Sequence, residues 1–278
     1  MRTSASYWMF EGGLEAKKPI AEAMQEAKDF GFDAIELAVA GQGVLTHQAT
    51  QARCEDIAAT AQKIGIEIAS VASGESWTCS PTANEPEQRA KIIDSTRKAL
   101  QVTKWLGTDA YLFVPGAVDV FFLPDAEVIP YDVCYERAGE AVRQILPAGE
   151  KTGVAICIEN VWNKFLLSPL EMRDFIDSFN SKMVGAYFDV GNVLLTGYPE
   201  QWIRILAERI KRVHVKDFKR SAGTAEGFVD MLEGDVNFEA VKEALGLIGC
   251  DGYVTAEVLP FEPGRLKKTA DAMKRIFK

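Results

Sequence analysis

Gly153-Val154-Ala155-Ile156-Cys157-Ile158-Glu159 is a glycine, an unbroken apolar run and then an acid, and it reads as a buried strand that ends on a reactive side chain. The pattern returns at Val184-Gly185-Ala186-Tyr187-Phe188-Asp189, at Arg212-Val213-His214-Val215, and at Asp251-Gly252-Tyr253-Val254-Thr255-Ala256-Glu257. Two glutamates, an aspartate and a histidine at successive strand ends form a mainly oxygen donor set with one imidazole. That set suits a hard or borderline divalent ion such as Mn²⁺ or Mg²⁺.

The same rhythm extends over the chain. Gly31, Gly65 and Gly107 also stand between an amphipathic segment and an apolar run, and glycine suits a helix C-terminal cap because it takes positive φ without a Cβ clash. Strands are expected at 3–8, 32–37, 66–71, 110–114, 154–159, 184–188, 212–215 and 253–256. Helices are expected at 16–30, 50–64, 86–106, 131–151, 169–179, 199–210, 238–247 and 264–277. Ser168-Pro169-Leu170-Glu171 has the form of a helix start, with similar entries at Pro199 and Asn237.

Eight strands alternating with eight helices predict one α/β domain over residues 1–278, a closed (β/α)₈ TIM barrel. An open doubly wound sheet normally has fewer strands, and no Gly-x-Gly-x-x-Gly loop follows the first strand here. In such a barrel the site lies at the C-terminal ends of the strands. The long connections 73–85, 115–130 and 216–236 are therefore expected to form its rim.

The 278 residues are 47% hydrophobic and carry a formal net charge of -9, from 31 basic and 40 acidic side chains. That is enough apolar material for a large core, and the acidity disfavours a protein that grips phosphate backbones. A small-molecule partner is expected, with no nucleic acid and no membrane. The first residues lack the apolar centre of a secretory signal and no apolar run is long enough to cross a bilayer, so the expected location is cytoplasmic. The five cysteines are scattered, odd in number and free of any Cys-x-x-Cys pair, which reads as reduced packing residues.

Glu159, Asp189, His214 and Glu257 recur about one βα unit apart, so on neighbouring barrel strands they can converge on one point. The only other histidine is His47. Glu36, at the end of the second strand, is within reach of the cavity, with a rim salt bridge as its expected role. Glu233-Gly234-Asp235 fits a tight turn before the helix capped by Asn237. Tyr7, Trp8, Trp77, Trp162 and Phe218 fall near strand ends or rim loops, where flat apolar faces suit the apolar surface of a small ligand or pack the barrel mouth.

Ile158-Glu159-Asn160, Phe188-Asp189-Val190-Gly191-Asn192, His214-Val215-Lys216-Asp217, Glu233-Gly234-Asp235-Val236-Asn237-Phe238 and Ala256-Glu257 resemble the xylose isomerase-like barrels. Within them the order is similar to the ketose 3-epimerases that act on D-tagatose, D-psicose or L-ribulose 5-phosphate. The resemblance implies one bound divalent ion at Glu159, Asp189, His214 and Glu257, most often Mn²⁺, with Mg²⁺, Co²⁺ or Zn²⁺ as other candidates. It implies that Glu159 and Glu257 flank the sugar and move the proton, one removing it beside the carbonyl and the other returning it to the opposite face.

Arg220 stands six positions after His214, where the free-sugar enzymes hold an arginine against substrate oxygens. Asn192 stands where they carry a histidine, and Phe165 where they carry a glutamate. These two departures leave a ketose phosphate open, with Lys164, Lys216, Lys219 and Arg220 as candidate phosphate ligands. The substrate-binding set expected from the sequence is Asn192, Arg220, Lys216, Trp162 and Trp77, and many relatives form dimers or tetramers.

The same metal quartet also serves aldose–ketose isomerases of hydroxypyruvate or hexulose phosphate type, and inosose or dehydroshikimate dehydratases. The endonuclease IV type needs a histidine-rich three-metal cluster, against which two histidines and an acidic chain argue.

Overall fold

The computed structural model describes residues 1–278 except 121 and 124, so those two positions of the expected 115–130 rim connection lie outside the described residues. The strands are β1 (Arg2–Ser6), β2 (Ala34–Ala38), β3 (Glu67–Ala72), β4 (Ala110–Phe113), β5 (Ala155–Glu159), β6 (Val184–Asp189), β7 (Ile210–Val215) and β8 (Tyr253–Ala256). All pair in parallel in chain order. The ring closes where Ala5 of β1 registers with Ile35 of β2 on one side and Ala256 of β8 on the other.

Helices α1 (Ile20–Asp29), α2 (Gln51–Ile64), α3 (Pro86–Trp105), α4 (Tyr131–Thr152), α5 (Pro169–Asp177), α6 (Pro199–Leu206), α7 (Phe238–Leu247) and α8 (Arg265–Phe277) follow the strands in turn. The expected (β/α)₈ barrel is the observed fold. No helix among the described residues is long and apolar enough to cross a membrane.

Local chemistry sets the element ends. Thr50, Ser168 and Asn237 each accept a hydrogen bond from the backbone N–H three residues on, the N-capping geometry. Glu171 reaches back to the N–H of Leu167 at 2.9 Å. Tyr198, ahead of Pro199, makes no side-chain cap. Gly65 and Gly153 end α2 and α4 at φ of 76° and 73°, a conformation that costs other residues Cβ strain.

Several boundaries shift by one or more residues from the sequence reading, and three of the shifts have a local cause. The first helix starts at Ile20 rather than 16, because Lys17 and Lys18 both donate their N–H to Gly12 O and Ala16 takes a φ of 54°. The first strand ends at Ser6, where the chain enters a 3₁₀ turn over Tyr7–Met9. The sixth helix ends at Leu206, and a 3₁₀ turn follows over Ala207–Arg209.

Strand alternation divides the interior into two cores. Ile156, Ile158, Phe188, Val213, Val215, Val254 and Ala256 face outward and pack in the large core under the helices. Ala155, Cys157, Tyr187, Leu112 and Ala72 belong to a smaller cluster inside the barrel. The lower interior is polar: Arg212 crosses from β7 to donate to Ala69 O of β3 at 2.7 Å, and also pairs with Asp109.

Candidate metal centre and substrate cavity

The two-residue period that sends Ala155, Cys157 and Tyr187 into the barrel also sends Glu159 and Asp189 there. His214 and Glu257 continue the inward sets of β7 and β8, between outward-facing Val213, Val215 and Ala256. One donor atom from each of the four lies within 4.8 Å of the others, and all four residues are buried. His214 Nδ1 is 3.2 Å from Glu159 Oε1, 3.6 Å from Glu257 Oε2 and 4.0 Å from Asp189 Oδ2.

The back of this cluster is held by hydrogen bonds. Asp189 Oδ1 accepts the N–H of Asn192 at 2.7 Å. Asn160 clamps the ends of β5 and β6 together, donating to Asp189 O and accepting from Asp189 N, both at 2.8 Å. Asn192 Nδ2 donates to Asn160 O at 2.9 Å, and Trp162 Nε1 donates to Asn192 O at 2.9 Å.

Glu36 is not at the rim. It is fully buried below the cluster, with Oε1 2.9 Å from His214 Nε2. Its other oxygen accepts from Ser70 Oγ at 2.9 Å and from the Tyr187 hydroxyl. The expected rim salt bridge is therefore corrected to an interior one, because position 36 has the inward parity of β2 while Ile35 and Leu37 pack outward. With Nε2–H directed at Glu36, loss of the Nδ1 proton to an incoming cation would leave a neutral imidazole whose Nδ1 lone pair faces the other three carboxylates.

The electrostatics follow from burial and crowding. Burial pushes the Glu159 carboxyl up to about 7, and the Glu257 charge adds to the rise against the His214 hydrogen bond. Burial likewise raises Asp189, with Lys216 opposing. Burial alone would lower His214, but the charges of Glu36 and Glu257 and its two carboxylate hydrogen bonds hold it well above the ordinary range. Burial also works against ionised Glu36, and the His214 charge with its hydrogen bonds outweighs that and lowers it.

The donor set fits a divalent cation by its own geometry. Three carboxylates and one imidazole suit a hard or borderline ion. Asp189 Oδ2 is buried and accepts no well-directed hydrogen bond, although Lys216 Nζ lies 3.1 Å from it. The same ammonium donates to Glu257 Oε2 at 2.6 Å, so the cluster already attracts positive charge. Gly191 makes this possible, since a Cβ there would stand 2.5 Å from Lys216 Cγ.

Above the cluster opens a cavity of about 700 Å³, whose wall includes Glu159, Asn192, Lys216 and Glu257 on one side. Trp8, Trp77, Trp162, Phe122 and Phe228 supply aromatic surface, and Glu75 adds a carboxylate. Of the expected substrate-binding set, Asn192, Lys216, Trp162 and Trp77 line the cavity. Arg220 lies outside its lining, exposed, with its guanidinium 4.9 Å from the Tyr198 ring centroid.

Two of the expected rim aromatics are buried instead. Tyr7 donates to Lys18 O at 2.5 Å, and Phe218 packs edge-on to Trp162. Phe165 sits in the helix layer against Tyr131, Tyr135 and Phe175, so its position never faces the cavity. Phe122, Phe228 and Glu75 were missed by the sequence reading. They lie on long connections whose path over the barrel mouth is set by tertiary contacts, and no local pattern marks them.

A parallel barrel with a Glu, Asp, His, Glu cluster at its C-terminal face defines a class, and the family comparison agrees. The model of the xylose isomerase-like TIM barrel family matches residues 24–276, and the chain belongs to that family. An uncharacterized protein of Methanocaldococcus jannaschii, MJ1311, is 22% identical over 244 residues, 86% of this chain and 78% of that protein. Among solved structures, D-psicose 3-epimerase from Clostridium cellulolyticum H10 superposes with a TM-score of 0.78 at 18% identity, over 99% of this chain and 98% of that one. The 3-keto-D-glucoside 4-epimerase YcjR of E. coli superposes with a TM-score of 0.78 at 15% identity, with 99% and 98% covered.

Proposed function

We propose that the protein is a divalent-metal-dependent sugar epimerase that inverts a carbon next to a carbonyl, C3 in a ketose, with Mn²⁺ as its ion. The observation that carries this reading is that Glu159 and Glu257 each belong to the buried donor cluster and to the cavity wall. The names of structurally similar proteins, D-psicose 3-epimerase and 3-keto-D-glucoside 4-epimerase, point to the same chemistry.

Glu159, Asp189, His214 and Glu257 would hold the ion. A divalent cation there supplies positive charge against the negative charge that develops on substrate oxygens during proton removal. One of the two cavity glutamates takes the proton from the carbon beside the carbonyl, and the other delivers a proton to the opposite face. Lys216 and Asn192 are placed on the same wall to meet substrate oxygens, and Trp162 walls the space above them.

The test is proton NMR in D₂O on Mn²⁺-loaded protein, with D-fructose and D-tagatose as ketoses. The expected result is deuterium at C3 with growth of the C3 epimer, and a loss of about 10²–10⁴-fold in exchange for Glu257→Gln. Exchange at C1 with an aldose appearing would replace the epimerase by an isomerase. Undiminished exchange in Glu257→Gln would remove the two-glutamate mechanism.

A further inference from the structure

Below the cavity mouth the ring of strands divides into two halves. The donor cluster stands on β5 to β8, and β3 lies diametrically across the closed eight-stranded ring from β7. Trp77 and Glu75 enter the cavity from the short helix Glu75–Thr78 that follows β3, and Trp8 enters from the turn after β1. Both indoles border Gly74, where a Cβ would lie 3.9 Å from Trp77 Cδ1 and 4.0 Å from Trp8 Cζ2. Phe122 packs edge-on to Trp77 with ring centroids 5.2 Å apart. The half of the cavity opposite the donor cluster is therefore an aromatic shelf formed by Trp8, Trp77 and Phe122.

The size and charge of this space constrain what fills it. At about 700 Å³ it falls in the upper part of the range of drug-sized ligand pockets, which run to roughly 1,000 Å³, and a single hexose on the cluster would leave the shelf to water. Among the described residues, the ionisable groups on the wall are Glu75, Glu159, Lys216 and Glu257. The one cation of these is engaged by Glu257 and Asp189. Lys164 pairs with Asp119, and neither it, Lys219 nor Arg220 reaches the wall. A phosphate on the shelf would meet the Glu75 carboxylate rather than a cation.

We infer that the physiological substrate is a neutral keto-glycoside whose aromatic aglycone stacks on Trp77 and Trp8 while its keto sugar ring sits on the donor cluster. This rests on the epimerase reading for its reacting end and on the shelf for the rest. The carbonyl must be a ring ketone: a glycosidic link at the anomeric carbon of a ketose would lock that carbonyl as a ketal and leave no acidified C–H for the glutamates. The Glu75 carboxylate on this side disfavours a sugar phosphate. Glu75, on the same short helix as Trp77, lines this side of the cavity with its Oε2 3.1 Å from His47 Nε2.

The test is isothermal titration calorimetry of Mn²⁺-loaded protein with phenyl 3-keto-β-D-glucoside, methyl 3-keto-β-D-glucoside and D-fructose 6-phosphate. The phenyl compound is expected to bind about tenfold or more tightly than the methyl compound. That margin should collapse in Trp77→Ala and return in Trp77→Phe, which keeps a flat ring. Equal affinity of the phenyl and methyl compounds, or tighter binding of the phosphate than of either, overturns the inference.

Deuterium exchange is scored separately on the same preparations. Exchange on D-fructose without a phenyl preference removes the aglycone and leaves the epimerase. A phenyl preference without exchange on any of these sugars sustains the ligand class and removes the epimerase.

Discussion

A histidine offers one lone pair to a metal only when its other nitrogen is committed elsewhere, and at His214 that commitment is made by Glu36. The imidazole is fully buried, lies 4.4 Å from the Tyr187 ring, centroid to centroid, and points Nε2 at the Glu36 carboxylate. Glu36→Gln keeps an acceptor of the same shape but removes the charge. Mn²⁺ affinity is expected to fall by about 10–100-fold, measured by calorimetry, and the rise in melting temperature on adding the ion should shrink accordingly. Unchanged affinity would mean that packing against Tyr187 orients the ring. Glu159, Asp189 and Glu257 were legible because each closes an apolar run, and His214 because it is one of two histidines in the chain and lies one βα unit after Asp189. Glu36 was legible as an acid within reach of the cavity, but its place beneath the cluster was not, since strand parity had to be assigned, with Ile35 and Leu37 outward, before its direction could be read.

At the scale of elements, the connection after β7 shows why loops resist reading from sequence. Asp217 is buried, and its carboxylate accepts N–H groups from Phe218 at 2.8 Å, Gly234 at 2.9 Å and Val236 at 3.2 Å. It thereby ties the antiparallel pair Asp217–Phe218 and Phe228–Val229 to the turn before α7. Gly234 is required there because a Cβ would run into the Asp217 carboxylate. Asp217→Ala leaves these donors without their acceptor, a cost of about 2–5 kcal/mol. Amide hydrogen exchange at Phe218, Gly234 and Val236 should accelerate well beyond that in β5 and β6, since the loss is local. Uniform acceleration across the barrel would instead make this loop part of the global folding unit. The Glu233-Gly234-Asp235 turn was legible from its residue types, whereas its anchor, 17 positions upstream of Gly234, was not. Helix starts at Ser168 and Asn237 were legible for the opposite reason, because capping is satisfied within four residues.

For the molecule as a whole, one set of inward-facing positions carries two duties stacked along the barrel axis. Arg212 and His214 project inward from the same strand two residues apart. The first spans the lower interior to Ala69 O on β3 and to Asp109, and the second reaches the donor cluster above. Between them lies the layer of Tyr187, Ser70 and Glu36. In a barrel of this kind the N-terminal face serves stability and the C-terminal face serves chemistry, so the two should separate under mutation. Arg212→Met replaces the guanidinium by an apolar chain and removes the charged donor to the Ala69 carbonyl, which keeps only the Thr108 hydroxyl at 3.0 Å, a loss of about 2 kcal/mol. For a chain of this size that corresponds to a fall in melting temperature of roughly 4–8 °C, readable by calorimetry. Mn²⁺ affinity should stay within about twofold of the parent, because the hydrogen bonds that orient His214 and Asp189 all lie above the substituted layer. A parallel loss of affinity would show that the lower interior sets the spacing of β6 and β7 at their upper ends, and that stability and metal binding are one property of the closed ring.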